Sequence, residues 1–281
     1  MAHINAGNDA AGHPVNIFYE DWGQGAPVVL IHGWPLDHTM WEHQALALAD
    51  AGLRVIAYDR RGFGRSEQPW EGYDYDTLAD DLAAVIDATE AEDAVLVGFS
   101  MGGGEVARFL TRHPGQARAA VLIGSVVPYV LKTDDNPDGV PDAMVQEIEA
   151  GLKADRPKFL AGFLKQFYGV GLIASPVSSE VVDASLVVAM QAGLKGTLDC
   201  VDSFARTDFR PDLASFTVPT LIIHGTADKI VPIDPTSRAA ARAIPGSQLI
   251  EYDGAPHGVL ATHKDRVSAD LLTFLGGLDK V

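Results

Sequence analysis

Short apolar runs alternate with amphipathic stretches along the first 127 positions of the chain. Positions 28–31, 53–58, 94–97 and 119–123 are almost wholly apolar, which predicts strands buried on both faces, as in a parallel sheet. The segments between them are long enough to carry crossover helices. Over 77–88, Leu78, Leu82, Val85 and Ile86 repeat at helical spacing, and Asp80, Asp81 and Asp87 fall on the face expected to be wet. Ahead of these elements, 15–22 reads as an antiparallel edge strand. From 128 to 211 the alternation stops, and helical segments and turn signals such as Asp134-Asp135-Asn136-Pro137-Asp138-Gly139 take over. Strand patterns return at 220–223 and 248–252, followed by a closing helix over 264–275. The expected architecture is therefore α/β: a mostly parallel central sheet flanked by helices, built from residues 1–127 and 212–281, with a helical cap inserted at 128–211. The cap's apolar residues, including Phe159, Phe163, Leu164, Phe167, Tyr168, Leu186 and Met190, suit either its own core or a substrate pocket.

Composition narrows the functions this fold can serve. The 281 residues are 47% hydrophobic and 21% charged, with a mean hydropathy of +0.07, enough apolar material for a sizeable core. Asp and Glu outnumber Lys and Arg by 38 to 21, a net charge of −17. Such a surface is well solvated and repels phosphate backbones and anionic membranes, which argues against nucleic acid as a partner. Cys200 is the single cysteine, so neither an intrachain disulfide nor a cysteine-based metal cluster can be assembled. The first residues lack a basic region followed by an apolar run, and no apolar stretch has the length of a membrane span, so a cytoplasmic location is expected.

The sharpest chemical signal is Gly98-Phe99-Ser100-Met101-Gly102-Gly103, between the strand at 94–97 and a helical pattern that runs through Glu105 to Phe109. This is the context of a G-x-S-x-G elbow, a tight strand-to-helix turn that lifts a serine hydroxyl clear of the sheet. Gly98 and Gly102 are the small residues that let the neighbouring backbone approach. A serine needs a base, and the base needs a partner that fixes its tautomer. His257 follows the last expected strand and Asp228 follows the one before it, both at carboxyl ends where open α/β sheets place their sites. Asp199, Asp202 and Asp208 are alternative carboxylates from the cap region. Among the other histidines, His224 is expected to brace the Asp228 loop, His32 to order its own loop, and His3, His13, His43 and His263 to lie on the surface. No H-E-x-x-H or comparable spacing suggests a metal.

Acyl transfer also requires N–H donors for the developing oxyanion. The Met101 amide is one candidate. The loop after the first parallel strand, His32-Gly33-Trp34-Pro35-Leu36-Asp37, offers the Trp34 amide as the other, since Pro35 has no N–H. Pro35 should also fix the direction of the Trp34 carbonyl beside the nucleophile.

These blocks, together with Tyr58-Asp59-Arg60-Arg61-Gly62-Phe63-Gly64-Arg65-Ser66 and Gln68-Pro69-Trp70, resemble the α/β-hydrolase superfamily and, within it, the cofactor-free (non-haem) haloperoxidase, aryl esterase and perhydrolase group. The resemblance implies an α/β-hydrolase fold and hydrolysis of small carboxylic esters without a cofactor. It further implies acyl transfer to hydrogen peroxide, with a peracid that oxidises halide in solution. It brings expectations that Pro35 and Phe99 position substrate or peroxide, that the Trp34 carbonyl accepts a hydrogen bond from peroxide, and that copies assemble into homo-oligomers. An amidase or γ-lactamase would use the same triad. A dehalogenase or epoxide hydrolase would need a carboxylate where Ser100 stands, and a ligand-binding receptor with a retained triad is the reading outside enzymology.

Overall fold

The computed structural model describes residues 2–171 and 175–278; residues 1, 172–174 and 279–281 of the expected core and cap segments lie outside the described residues. Its strands are β1 (Ala2–Asn8), β2 (Pro14–Trp22), β3 (Pro27–Ile31), β4 (Arg54–Tyr58), β5 (Ala94–Phe99), β6 (Ala117–Ile123), β7 (Thr220–Gly225) and β8 (Gln248–Tyr252). They form one sheet in the order β1-β2-β4-β3-β5-β6-β7-β8. β1, β2 and β4 pair antiparallel, and from β4 to β8 every neighbour is parallel. Strand order reverses at β3, which has β4 on one side and β5 on the other, so a crevice opens where the chain leaves the carboxyl ends of β3 and β5. The loop carrying Trp34 leaves one of these strands and the turn carrying Ser100 leaves the other.

Helices α1 (Glu42–Asp50), α2 (Tyr75–Ala88) and α3 (Met101–Arg112) follow β3, β4 and β5. Between β6 and β7 come α4 (Asp142–Phe167), α5 (Ser179–Gln191) and α6 (Leu194–Arg206), and the chain ends on α7 (Ala239–Ala243), α8 (Val259–Thr262) and α9 (Lys264–Leu278). α4 breaks at Asp155, where φ is −157° and ψ is 83°, two residues before Pro157. The ring of Pro157 cannot continue the preceding ladder, and Asp155 Oδ1 starts the second half by accepting from the Lys158 amide at 3.1 Å. No single helix among the described residues is long and apolar enough to cross a membrane.

Burial explains the strand pattern, since Val28, Val29, Leu30, Ile31, Val55, Ile56, Ala57 and Leu96 are all fully buried. Two expectations need correction. The stretch at 15–22 is not the edge, because β1 pairs outside it. β1 was hidden because Ile4 is its one buried residue, so its apolar signal is faint. Asp81 is not on the wet face of α2: it is buried, and it receives both Nε and Nη2 of Arg61 at 2.6 Å. A carboxylate on an apolar face is stable only with such a partner.

At the β5–α3 junction a Cβ on Gly98 would lie 2.4 Å from the Gly102 carbonyl oxygen, and one on Gly102 would lie 2.5 Å from that of Ile31. Gly102→Ala is expected to lower stability by about 1–3 kcal/mol through overpacking, despite the better helix propensity of alanine. Urea unfolding measures this; an unchanged or raised midpoint would contradict the close approach.

Candidate active site

Ser100 sits between β5 and α3 at φ 54° and ψ −117°, a backbone region that side chains other than glycine rarely adopt. Its amide donates to Ile123 O at 2.8 Å and its carbonyl accepts from Gly103 N at 3.0 Å and Val126 N at 3.3 Å, so the strained turn is held from both sides. Met101 opens α3, so its amide is one of the first-turn donors with no intrahelical partner. Trp34 is buried, and its indole Nε1 donates to Thr197 O of α6 at 3.0 Å.

His257 Nε2 lies 3.0 Å from Ser100 Oγ, and His257 Nδ1 lies 2.5 Å from Asp228 Oδ2. All three side chains are almost entirely buried. Asp228 Oδ1 accepts from the amides of Ile230 at 2.8 Å and Val231 at 2.9 Å. His224 Nε2 lies 3.2 Å from Oδ2 of the same carboxylate and 2.9 Å from Val231 O, while its Nδ1 meets Ser237 Oγ at 2.6 Å. Burial alone would raise the Asp228 carboxyl, but the His257 and His224 imidazoles outweigh it and hold the group far below the usual carboxylate range. Asp228 is therefore a buried carboxylate with every lone-pair direction engaged.

The structure thus brings Ser100, Asp228 and His257 together and leaves the alternative carboxylates elsewhere. Asp199 pairs with Lys195, Asp202 with Arg206 and Asp208 with Arg210. The Phe99 ring centroid is 4.9 Å from that of His257, and the Phe167 ring approaches the same imidazole at 5.0 Å. Phe167 meets the imidazole edge-on and Phe99 meets it tilted, so α4 and β5 both pack against the loop after β8, contacts that residue spacing could not reveal. Pro35 is buried, and the Trp34–Pro35 peptide is cis.

Above Ser100 is an apolar cavity of about 50 Å³, walled by Trp34, Val126, Val145, Phe163, Phe204 and Val231. It shares Val140, Ile148, Phe163 and Ile230 with a wider cavity of about 720 Å³ beside α4. Phe163 of α4, partly buried against the core, is thus a wall of both cavities. Among the described residues, Asp37, His38 and Asp59 form the one group of metal-ligating side chains with atoms within 4.8 Å of one another. These atoms are already committed, since Asp59 accepts from His38 Nδ1 at 2.6 Å and from the His38 and Arg65 amides, and Asp37 accepts from Thr39.

A serine within hydrogen-bond distance of a histidine, a buried carboxylate on the far side of that imidazole and an apolar cavity lie at the carboxyl ends of a parallel sheet, and residues 26–264 match the α/β-hydrolase fold family. The chain belongs to the α/β-hydrolase family. This α/β-hydrolase is 44% identical over 264 residues to a non-heme chloroperoxidase of Kitasatospora aureofaciens, with 93% of this chain and 96% of that protein covered. It is 41% identical over 268 residues to a bifunctional esterase/perhydrolase of Acinetobacter calcoaceticus, covering 93% of this chain and 96% of the relative. Among solved structures, a bromoperoxidase from Bacillus anthracis superposes with a TM-score of 0.94 at 45% identity, over 98% of this chain and 99% of that one.

His32, at the start of the Trp34 loop, is fully buried. Burial and then the Arg60 guanidinium push its pKa down to about 3, against a weaker opposing pull from Asp59, with His38 adding to the depression. An unfolded imidazole takes its proton near 6.5, so unfolding takes up a proton between these two values. The contribution of neutral His32 to stability is complete above pH 6.5 and drains as pH falls towards 3. The melting temperature of wild type is expected to fall more steeply between pH 6.5 and 4 than that of His32→Asn; equal slopes in parallel thermal melts would contradict a neutral buried His32.

Proposed function

We propose that this α/β-hydrolase cleaves small carboxylic esters through an acyl-enzyme on Ser100 and passes the acyl group to water or to hydrogen peroxide. The 3.0 Å contact between His257 Nε2 and Ser100 Oγ carries the reading, because it is the path along which the serine proton must leave. Ser100 Oγ attacks the ester carbonyl as His257 Nε2 takes that proton. The imidazolium is stabilised by Asp228, and the Trp34 and Met101 amides hold the oxyanion. Collapse breaks the bond to the alcohol oxygen, which takes the proton back from His257. Water, or peroxide in its place, then gives its proton to His257 and attacks the acyl carbonyl. Ser100 leaves with that proton, and the product is a carboxylic acid or a peracid. Perhydrolysis is the reading favoured by relatives named chloroperoxidase and esterase/perhydrolase.

The residues from 128 to 211 serve in this proposal as a cap over core segments 1–127 and 212–281. The small cavity above Ser100 suits a short acyl chain, and its apolar walls suit an uncharged one. Pro35 acts by directing the Trp34 carbonyl towards peroxide.

Turnover of p-nitrophenyl acetate, with and without peroxide and a halide-dependent peracid reporter, tests these statements together. Ser100→Ala is expected to lose turnover by about 10³-fold or more, and wild type to yield peracid. Ester turnover that survives in Ser100→Ala would end the acyl-enzyme reading. Pro35→Leu is expected to lower the ratio of perhydrolysis to hydrolysis, and an unchanged ratio would remove Pro35 from the peroxide step.

A further inference from the structure

We propose that His32 is a positioning residue for the oxyanion hole: its Nδ1–H holds the Gly33 carbonyl and thereby aims the Trp34 N–H, while Arg60 and Glu105 tie His32 to the helix of the nucleophile. The inference rests on the acyl-enzyme reading and adds to it the device that sets the hole's geometry.

The Gly33–Trp34 bond is not among the cis peptides, so the Gly33 C=O and the Trp34 N–H lie in one plane and point in opposite directions. Fixing one fixes the other. Gly33 O accepts from His32 Nδ1 at 3.0 Å and from the Leu36 amide at 3.1 Å. On the far side of the ring, His32 Nε2 is 2.9 Å from the Arg60 amide. A backbone amide can only donate, so Nε2 must be the acceptor and Nδ1 must carry the proton. A carbonyl can only accept, and Gly33 O meets that proton. Both ring nitrogens are therefore spoken for in a single tautomer, and the acidity of the buried ring keeps it neutral across working pH.

The second half of the device links the two oxyanion donors. Arg60 Nη2 donates to His32 O at 2.6 Å, and Arg60 Nε donates to Glu105 Oε1 at 2.5 Å. Tyr58 OH donates to the other oxygen of Glu105 at 2.5 Å. Arg60 and Glu105 are buried with almost no exposure, so the pair sits in a weakly screened interior, where loss of one partner strands the other charge. Glu105 lies on α3, the helix whose first amide is that of Met101. One guanidinium thus grips the loop that supplies the Trp34 amide and, through Glu105, the helix that supplies the Met101 amide. A Cβ on Gly33 would meet the Phe99 ring at 2.6 Å and Ser100 Cβ at 3.1 Å, so the loop lies directly against the nucleophile and a small rotation of its peptide would misdirect the donor.

Two substitutions separate the functions of the ring. His32→Asn keeps an amide donor near the place of Nδ1, whereas His32→Gln keeps an acceptor near the place of Nε2 and removes the donor to Gly33 O. His32→Gln is expected to lower kcat by about tenfold or more, short of the roughly 10²–10³-fold lost when an oxyanion donor is deleted, with KM little changed. Affinity for phenylboronic acid, whose tetrahedral adduct fills the hole, should fall in parallel, and His32→Asn should restore most of both. Wild-type kcat and boronate affinity in folded His32→Gln would overturn the inference. If His32→Gln does not fold, the imidazole ¹⁵N shifts of wild type decide: a neutral His32 protonated on Nδ1 from pH 8 to 5 is expected, and a proton on Nε2 would overturn it. A Ser100→Ala control that keeps ester turnover would remove the acyl-enzyme reading and this inference with it. A Ser100-dependent enzyme indifferent to His32→Gln would overturn this inference alone.

Discussion

Everything at the site depends on the close approach of β3, β5 and α3 around Ser100. A serine at φ 54° carries about 1–3 kcal/mol of backbone strain, which persists only where surrounding structure over-determines it. Here that structure is visible: Ser100 N is bonded to β6, Ser100 O receives Gly103 N and Val126 N, and Gly98 and Gly102 leave no room for a Cβ. The strained turn presents the hydroxyl to His257 and leaves the Met101 amide at a helix N-terminus. Position is thus obtained from packed backbone, and the chemistry then needs only short side chains reaching from neighbouring strand ends.

The buried carboxylates follow a common rule of pairing. Asp228 lies in the interior with two amides and two imidazoles around it, so it remains ionised and acts on His257 with little screening. Arg60–Glu105 and Arg61–Asp81 repeat this arrangement beneath the site. The excess of acidic over basic residues lies mostly on the surface, where Arg112, Arg206, Arg210 and Arg238 each gather two or more carboxylates. Exposed pairs of this kind contribute little to stability, whereas the buried ones set geometry.

The parallel strands were legible in the sequence because fully buried strands are continuous apolar runs. The candidate site was legible because G-x-S-x-G and Asp228 each fall just past such a run, and His257 just past the mixed strand at 248–252. What could not be read depends on partners distant along the chain. Asp81 looked solvated until Arg61, 20 residues earlier, was seen against it, and Glu105 looked like an ordinary helix residue without Arg60, 45 residues before it. Phe99 adjoins Ser100 in sequence, and its ring packs against the His257 imidazole and against Phe167 of α4, partners far away along the chain. β1 escaped because its stability comes from backbone pairing with β2 more than from apolar burial.

The most direct test of the central claim is peptide mapping by mass spectrometry after reaction with phenylmethylsulfonyl fluoride, which traps an activated serine. The account predicts one modified site, Ser100, with labelling that stops in His257→Ala because the proton acceptor is gone. Labelling at another residue, or undiminished labelling of Ser100 without His257, would contradict it.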